Sequence, residues 1–154
     1  MLFGKNAVKI SGNLVDGKYK VKVIDDPTFA PKDYEKVHAG VWMNNEERYI
    51  MRFVIVDGEF AGQIFSVYLI EGTLTALLDD VHDQYTKTKV LKPGATSINV
   101  MVDTMLEKPF EMYRGIEEYY DANGIESTTH KWYGREDRFR KLVKAEVKHA
   151  TDII

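Results

Sequence analysis

A chain of 154 residues with 44% hydrophobic and 29% charged side chains fits one globular domain able to bury a core. It holds no run near the roughly 18 consecutive apolar residues that a membrane helix needs, and no cysteine, which excludes disulfides, thiolate nucleophiles and zinc sites built on sulfur. A net charge of -3 argues against a uniformly basic nucleic-acid binder but leaves room for a local basic groove, because local potential and net charge are separate quantities.

The opening MLFGKNAVKISG lacks the basic start, long apolar run and small-residue cleavage site of a secretory signal, so a location inside a cell is expected. In KYKVKVID, residues 18 to 25, Tyr19, Val21 and Val23 alternate with Lys18, Lys20 and Lys22, the period of a half-buried strand. Residues 26 to 36 contain two prolines and no periodicity and read as a long loop. A short strand, VHAGVWM, is expected next, ending at the turn-like NNEE of residues 44 to 47. Tyr49 to Val56 and Gln63 to Ile70 read as two strands joined by a turn from Asp57 to Gly62.

After Gly72 the period changes to that of a helix. Leu74, Leu77, Leu78, Val81 and Tyr85 share one face, Asp79, Asp80 and Asp83 the other, and Thr73 is the expected N-cap. Pro93-Gly94 marks a turn, beyond which Ile98, Val100 and Val102 alternate as a further strand. Residues 109 to 122 leave helix and strand both open: a proline at the start and Asn123-Gly124 at the end favour helix, while Gly115 and the crowded aromatics oppose it. STTHKWYG, 127 to 134, reads as the last strand, and Phe139, Leu142, Val143, Val147 and Ala150 form the apolar stripe of a C-terminal helix.

Three strands, a helix, further strands and an appended helix are the element order of an OB barrel. The expected fold class is therefore mainly β with helices (α+β): a five-stranded OB-like barrel over residues 1-134, with a helix between its third and fourth strands. Residues 135-154 add an amphipathic basic helix to the same single domain. Such barrels commonly hold oligonucleotides or oligosaccharides on the face of strands two and three. Fold order alone does not name a ligand.

The hairpin of residues 49 to 70 supplies a candidate surface. If Phe53 and Ile55 pack inward with Phe65, Val67 and Leu69, then Arg52, Ser66 and Tyr68 point outward, because neighbours on a strand alternate faces. With the lysines of the first strand, the outer surface becomes Lys18, Lys20, Lys22, Arg52 and Tyr68, with Trp42 near in sequence. Cations follow a phosphate backbone and aromatic rings stack on bases, which suits a single strand. A solvated sheet face carries alternating lysines for a plainer reason, since they discourage edge pairing.

The runs YIMRFVIVDGEFAGQIFSVYLI and GKYKVKVID resemble small bacteriophage proteins related to single-stranded-DNA-binding proteins with an OB fold, over residues 12 to 104. The resemblance implies a replication or recombination accessory protein that coats single-stranded DNA without reading sequence, in the host cytoplasm. Relatives of that kind often end in a long acidic tail with a terminal aromatic. This chain ends KHATDII, so recruitment of partners through a tail is not expected.

Further along the chain, Trp132 lies on the last strand, and Arg135, Arg138, Lys141, Lys144 and Lys148 share a broad face beside the apolar stripe of the C-terminal helix. That face can extend a phosphate track, as Arg138 and Lys141 would, or be merely solvated, and the stripe can join two copies of the chain. Catalysis is not expected. DDVHD, 79 to 83, puts Asp79, His82 and Asp83 within one helical turn but has no partner cluster for a metal. Ser66 and Ser97 lack a Gly-x-Ser-x-Gly context, and the glycines form neither a P-loop nor a dinucleotide fingerprint. No cofactor or metal is expected. The alternative to a single-strand binder is a phage or bacterial protein–protein interaction module, either an inhibitor of a host enzyme or a structural component.

Overall fold

The computed structural model describes residues 14–139. Among these residues seven strands, antiparallel at every paired neighbour, make one sheet: β1 (Gly17–Val23), β2 (Tyr34–His38), β3 (Val41–Asn44), β4 (Tyr49–Ile55), β5 (Ile64–Leu69), β6 (Phe110–Tyr120) and β7 (Glu126–Tyr133). Among the described residues two helices, α1 (Glu71–Lys87) and α2 (Ile98–Glu107), stand between β5 and β6, and a short 3-10 turn at Glu136–Arg138 follows β7. The fold is thus α+β. Its strands run in the order β2-β3-β4-β1-β6-β7, with β5 paired to β4, and the sheet is not closed into a barrel. Among the described residues no helix is long and apolar enough to cross a membrane.

Alternation in β1 does what its period requires. Tyr19, Val21 and Val23 are buried, while Lys18 and Lys20 are exposed and Lys22 is half-buried. The hairpin β4–β5 pairs Phe53 with Phe65 and Arg52 with Ser66, which puts Phe53, Ile55, Phe65, Val67 and Leu69 in the core and Arg52, Ser66 and Tyr68 on the opposite face. Leu74, Leu77, Leu78, Val81 and Tyr85 of α1 close over that core. Burial pushes the Tyr85 hydroxyl pKa up, and the hydroxyl donates to the Lys108 carbonyl at 2.6 Å.

Three expectations are corrected, and one that was left open is decided. The segment 37 to 43 is not one strand: it folds back at Ala39-Gly40 into the β2–β3 hairpin, because Gly40 takes φ +81°. Ile98 to Val102 is helix, not strand. Ser97 caps it by accepting the Val100 N–H at 3.2 Å, and the buried set is Met101, Val102 and Met105, a helical spacing that the alternating valines mask. Thr73 is not the N-cap of α1 but sits one turn inside, where its hydroxyl accepts the Ile70 N–H at 2.9 Å. Residues 110 to 120, left open above, are an eleven-residue strand: β6 pairs with β1 through one end and with β7 along the rest, and this tertiary pairing outweighs the helix signals of the proline and Asn123-Gly124.

Gly40 also marks a close approach. A Cβ there would lie 2.5 Å from Cγ1 of Val23 and 3.2 Å from the Ile24 carbonyl oxygen. Gly40→Ala therefore combines an unfavourable φ with overpacking against β1, and chemical denaturation should show a loss of about 1 to 3 kcal/mol.

Candidate nucleic-acid interface

The outer face of β3 and β4 is not open. Trp42 pairs with Ile50 across the ladder, Arg52 lies two residues further on the same face, and both Trp42 and Ile50 are buried. The cover is the loop between β1 and β2. Phe29 meets the Trp42 ring edge-on, with centroids 4.8 Å apart and planes at 82°, and the Arg52 guanidinium sits 4.3 Å from the Phe29 ring centre. Arg52 donates to Ser66 Oγ at 3.1 Å and lies 3.8 Å from the Asp26 carboxylate. Hydrogen bonds from the Thr28 hydroxyl and N–H, with the nearby Arg52 charge, hold the Asp26 carboxyl below the usual carboxylate range. Asp25 is lowered by the Lys36 ammonium at 2.7 Å and by the Gly40 N–H at 3.0 Å.

The other expected contacts are scattered. Lys18 reaches Glu111 at 3.5 Å and Lys20 reaches Asp57 at 3.7 Å, both in solvent, where such pairs contribute little. Trp132 is half-buried and packs against the core. It stacks on Phe65 with centroids 3.8 Å apart and planes at 9°, and touches Tyr19 at 5.4 Å, so it joins β7 to β5 through side chains. Arg138 makes a two-pronged pair with the buried Asp80 of α1, Nε and NH2 donating at 2.9 and 2.7 Å. Phe139, first residue of the expected apolar stripe, packs edge-on to Tyr133 and against Gly115. Lys141 and the rest of the expected C-terminal helix lie outside the described residues. In the DDVHD segment, Asp80 serves Arg138 and His82 bonds to the Thr96 hydroxyl at 3.1 Å.

Of the aromatic candidates, Tyr68 alone stands in solvent, 70% exposed. It borders a cleft of about 320 Å³ lined by Tyr34, Arg48, Tyr49, Tyr68, Leu69, Ile70, Thr73 and Lys131. Three phenol rings come from β2, β4 and β5, one cation from the β3–β4 turn and one from β7; none of the eight residues is acidic. Arg48 and Lys131 are both exposed. Sequence reasoning missed four of these groups. Tyr34 lay in a segment read as loop, Arg48 next to an acidic turn, and Tyr49 at a strand end. Lys131 is 63 residues from Tyr68, a separation that only the closing approach of β7 to β5 removes.

Neither family models nor curated proteins nor solved structures gave a match to this chain.

Proposed function

We propose that the chain binds single-stranded nucleic acid, DNA in the first place, without reading sequence, and that the tyrosine-lined cleft beside Tyr68 is where it does so. The observation that carries this reading is the lining itself: three tyrosine rings and two cations with no carboxylate among them. A ring offers a stacking face to any base, a cation neutralises a phosphate of any nucleotide, and the two together hold a strand irrespective of sequence. The strand order supports the same reading. With strands running β5-β4-β1-β6-β7 and Trp132 of β7 stacked on Phe65 of β5, β4 and β5 would take the part of strands two and three, the ligand-bearing strands, if the sheet is read as an open OB-like arrangement. A replication or recombination accessory role in a phage-infected cell fits a binder of this kind.

Titration with labelled oligothymidine at several salt concentrations tests the proposal. If Arg48 and Lys131 are the cations that neutralise phosphates, log K against log salt should fall with a slope of about -1.4, and Lys131→Ala should remove about 0.7 of it. Tyr68→Ala should weaken binding by about 5- to 150-fold, a loss of about 1 to 3 kcal/mol of stacking, and leave the melting temperature unchanged because the ring lies outside the core. No binding at low salt would sink the proposal and favour a protein partner instead.

A further inference from the structure

The cover over β3 and β4 has a chemistry that a plain apolar lid does not need. One stretch of chain presents one aromatic ring, Phe29, and two carboxylates, Asp25 and Asp26. Facing them are one indole, Trp42, and two cations, Lys36 and Arg52. Phe29 sits against the Trp42 ring and beneath the Arg52 guanidinium. Asp26 lies 3.8 Å from Arg52, Asp25 lies 2.7 Å from Lys36, and the Lys36 ammonium is 5.8 Å from the centre of the Trp42 ring. A planar ring with two negative charges a few residues before it, held by an aromatic and two cations, resembles what a base and the phosphates of its strand would present.

We infer that residues 25–29 are an internal stand-in for a nucleotide, covering a second single-strand site made of Trp42, Arg52 and Lys36. The inference rests on the single-strand reading above and gives it a second contact, one that opens only when the strand displaces the chain's own ring. Two further features fit. The Arg52 Nε is buried with no hydrogen-bond partner, so the guanidinium retains a donor that its present neighbours do not use and that a phosphate oxygen would take. Asp33, where the segment runs into β2, holds φ at 68°, a left-handed conformation that a non-glycine residue adopts at a cost, so the closed arrangement is not strain-free. Asp25 has a separate duty at the Gly40 N–H. The informative changes are therefore at Phe29 and Asp26.

The full chain, Phe29→Ala, Asp26→Asn and the double variant Phe29→Ala/Trp42→Phe are titrated with labelled oligothymidine, following both anisotropy and tryptophan emission. With no ring left to displace, Phe29→Ala should bind about tenfold more tightly, the factor expected when one aromatic contact no longer competes. Its indole emission should be quenched on binding, and the double variant should lose that quenching. Asp26→Asn, which keeps the ring, should tighten binding by a smaller factor. If the unaltered chain binds while Phe29→Ala, folded by circular dichroism, binds equally or less well with Trp42 unquenched, the second site is overturned and the tyrosine cleft stands. If Phe29→Ala binds where the unaltered chain does not, the second site stands and the cleft reading falls. Binding by neither overturns both. Should Phe29→Ala fail to fold, Phe29→Leu fills the space without a π face; absence of tightening in both Phe29→Leu and Asp26→Asn then overturns the inference.

Discussion

Phe53→Ala is expected to cost about 3 to 5 kcal/mol in chemical denaturation, the range for removing a large ring from a packed interior. The ring has no exposed surface, stacks on Phe65 with centroids 5.3 Å apart and meets Phe110 edge-on at 6.1 Å. Its neighbours come from β5 and β6, so the cavity would open within the packed core, and a strand ladder offers little freedom to collapse into it. Tyr68, on the opposite face of the same hairpin, should show no comparable loss when truncated. Similar destabilisation by the two substitutions would mean that the hairpin's faces are not divided as β4 and β5 pair them.

Arg138→Ala should destabilise the fold by about 3 kcal/mol, the low end of what breaking a buried ion pair costs. Asp80 has 2% of its side chain exposed, and both its oxygens accept from Arg138, so losing the guanidinium leaves a carboxylate in the interior with its partner gone. The low end applies because Arg138 itself keeps 36% of its side chain in solvent, which lets water reach part of the site. A double-mutant cycle separates the pair from its surroundings: Asp80→Asn combined with Arg138→Ala should recover part of the loss, because a neutral amide is cheaper to bury than an unpaired charge. Equal instability of the single and double variants would show that Arg138 acts through packing alone. The pair also revises the part assigned to Arg138 as a phosphate contact, since its strongest donors already point at α1.

Local pattern was enough for β1, β4, β5 and α1, where period two or a helical stripe coincides with the buried face. It failed where two patterns overlapped. In residues 98 to 107, valines at alternating positions read as strand, but the buried methionines follow a helical spacing and Ser97 supplies the cap. In residues 37 to 43, one glycine at positive φ split a run of strand-forming residues into a hairpin.

The candidate site divides in the same way. That Tyr68 and Arg52 leave the core on one side of the hairpin follows from the strand period, which sequence carries completely. What stands over each of them does not. Arg52 and Trp42 are covered by Phe29, from a loop with no periodicity of its own, while Tyr68 remains open and gains Lys131 from a strand some sixty residues later. The sequence by itself determined the α+β class, the inward faces of β1, β4 and β5 and the buried stripe of α1, because these depend on side chains a few residues apart. Only the tertiary structure decided which outward residues meet solvent and which meet the chain again, because that depends on how a loop and two distant strands pack across the sheet, and no local spacing records it.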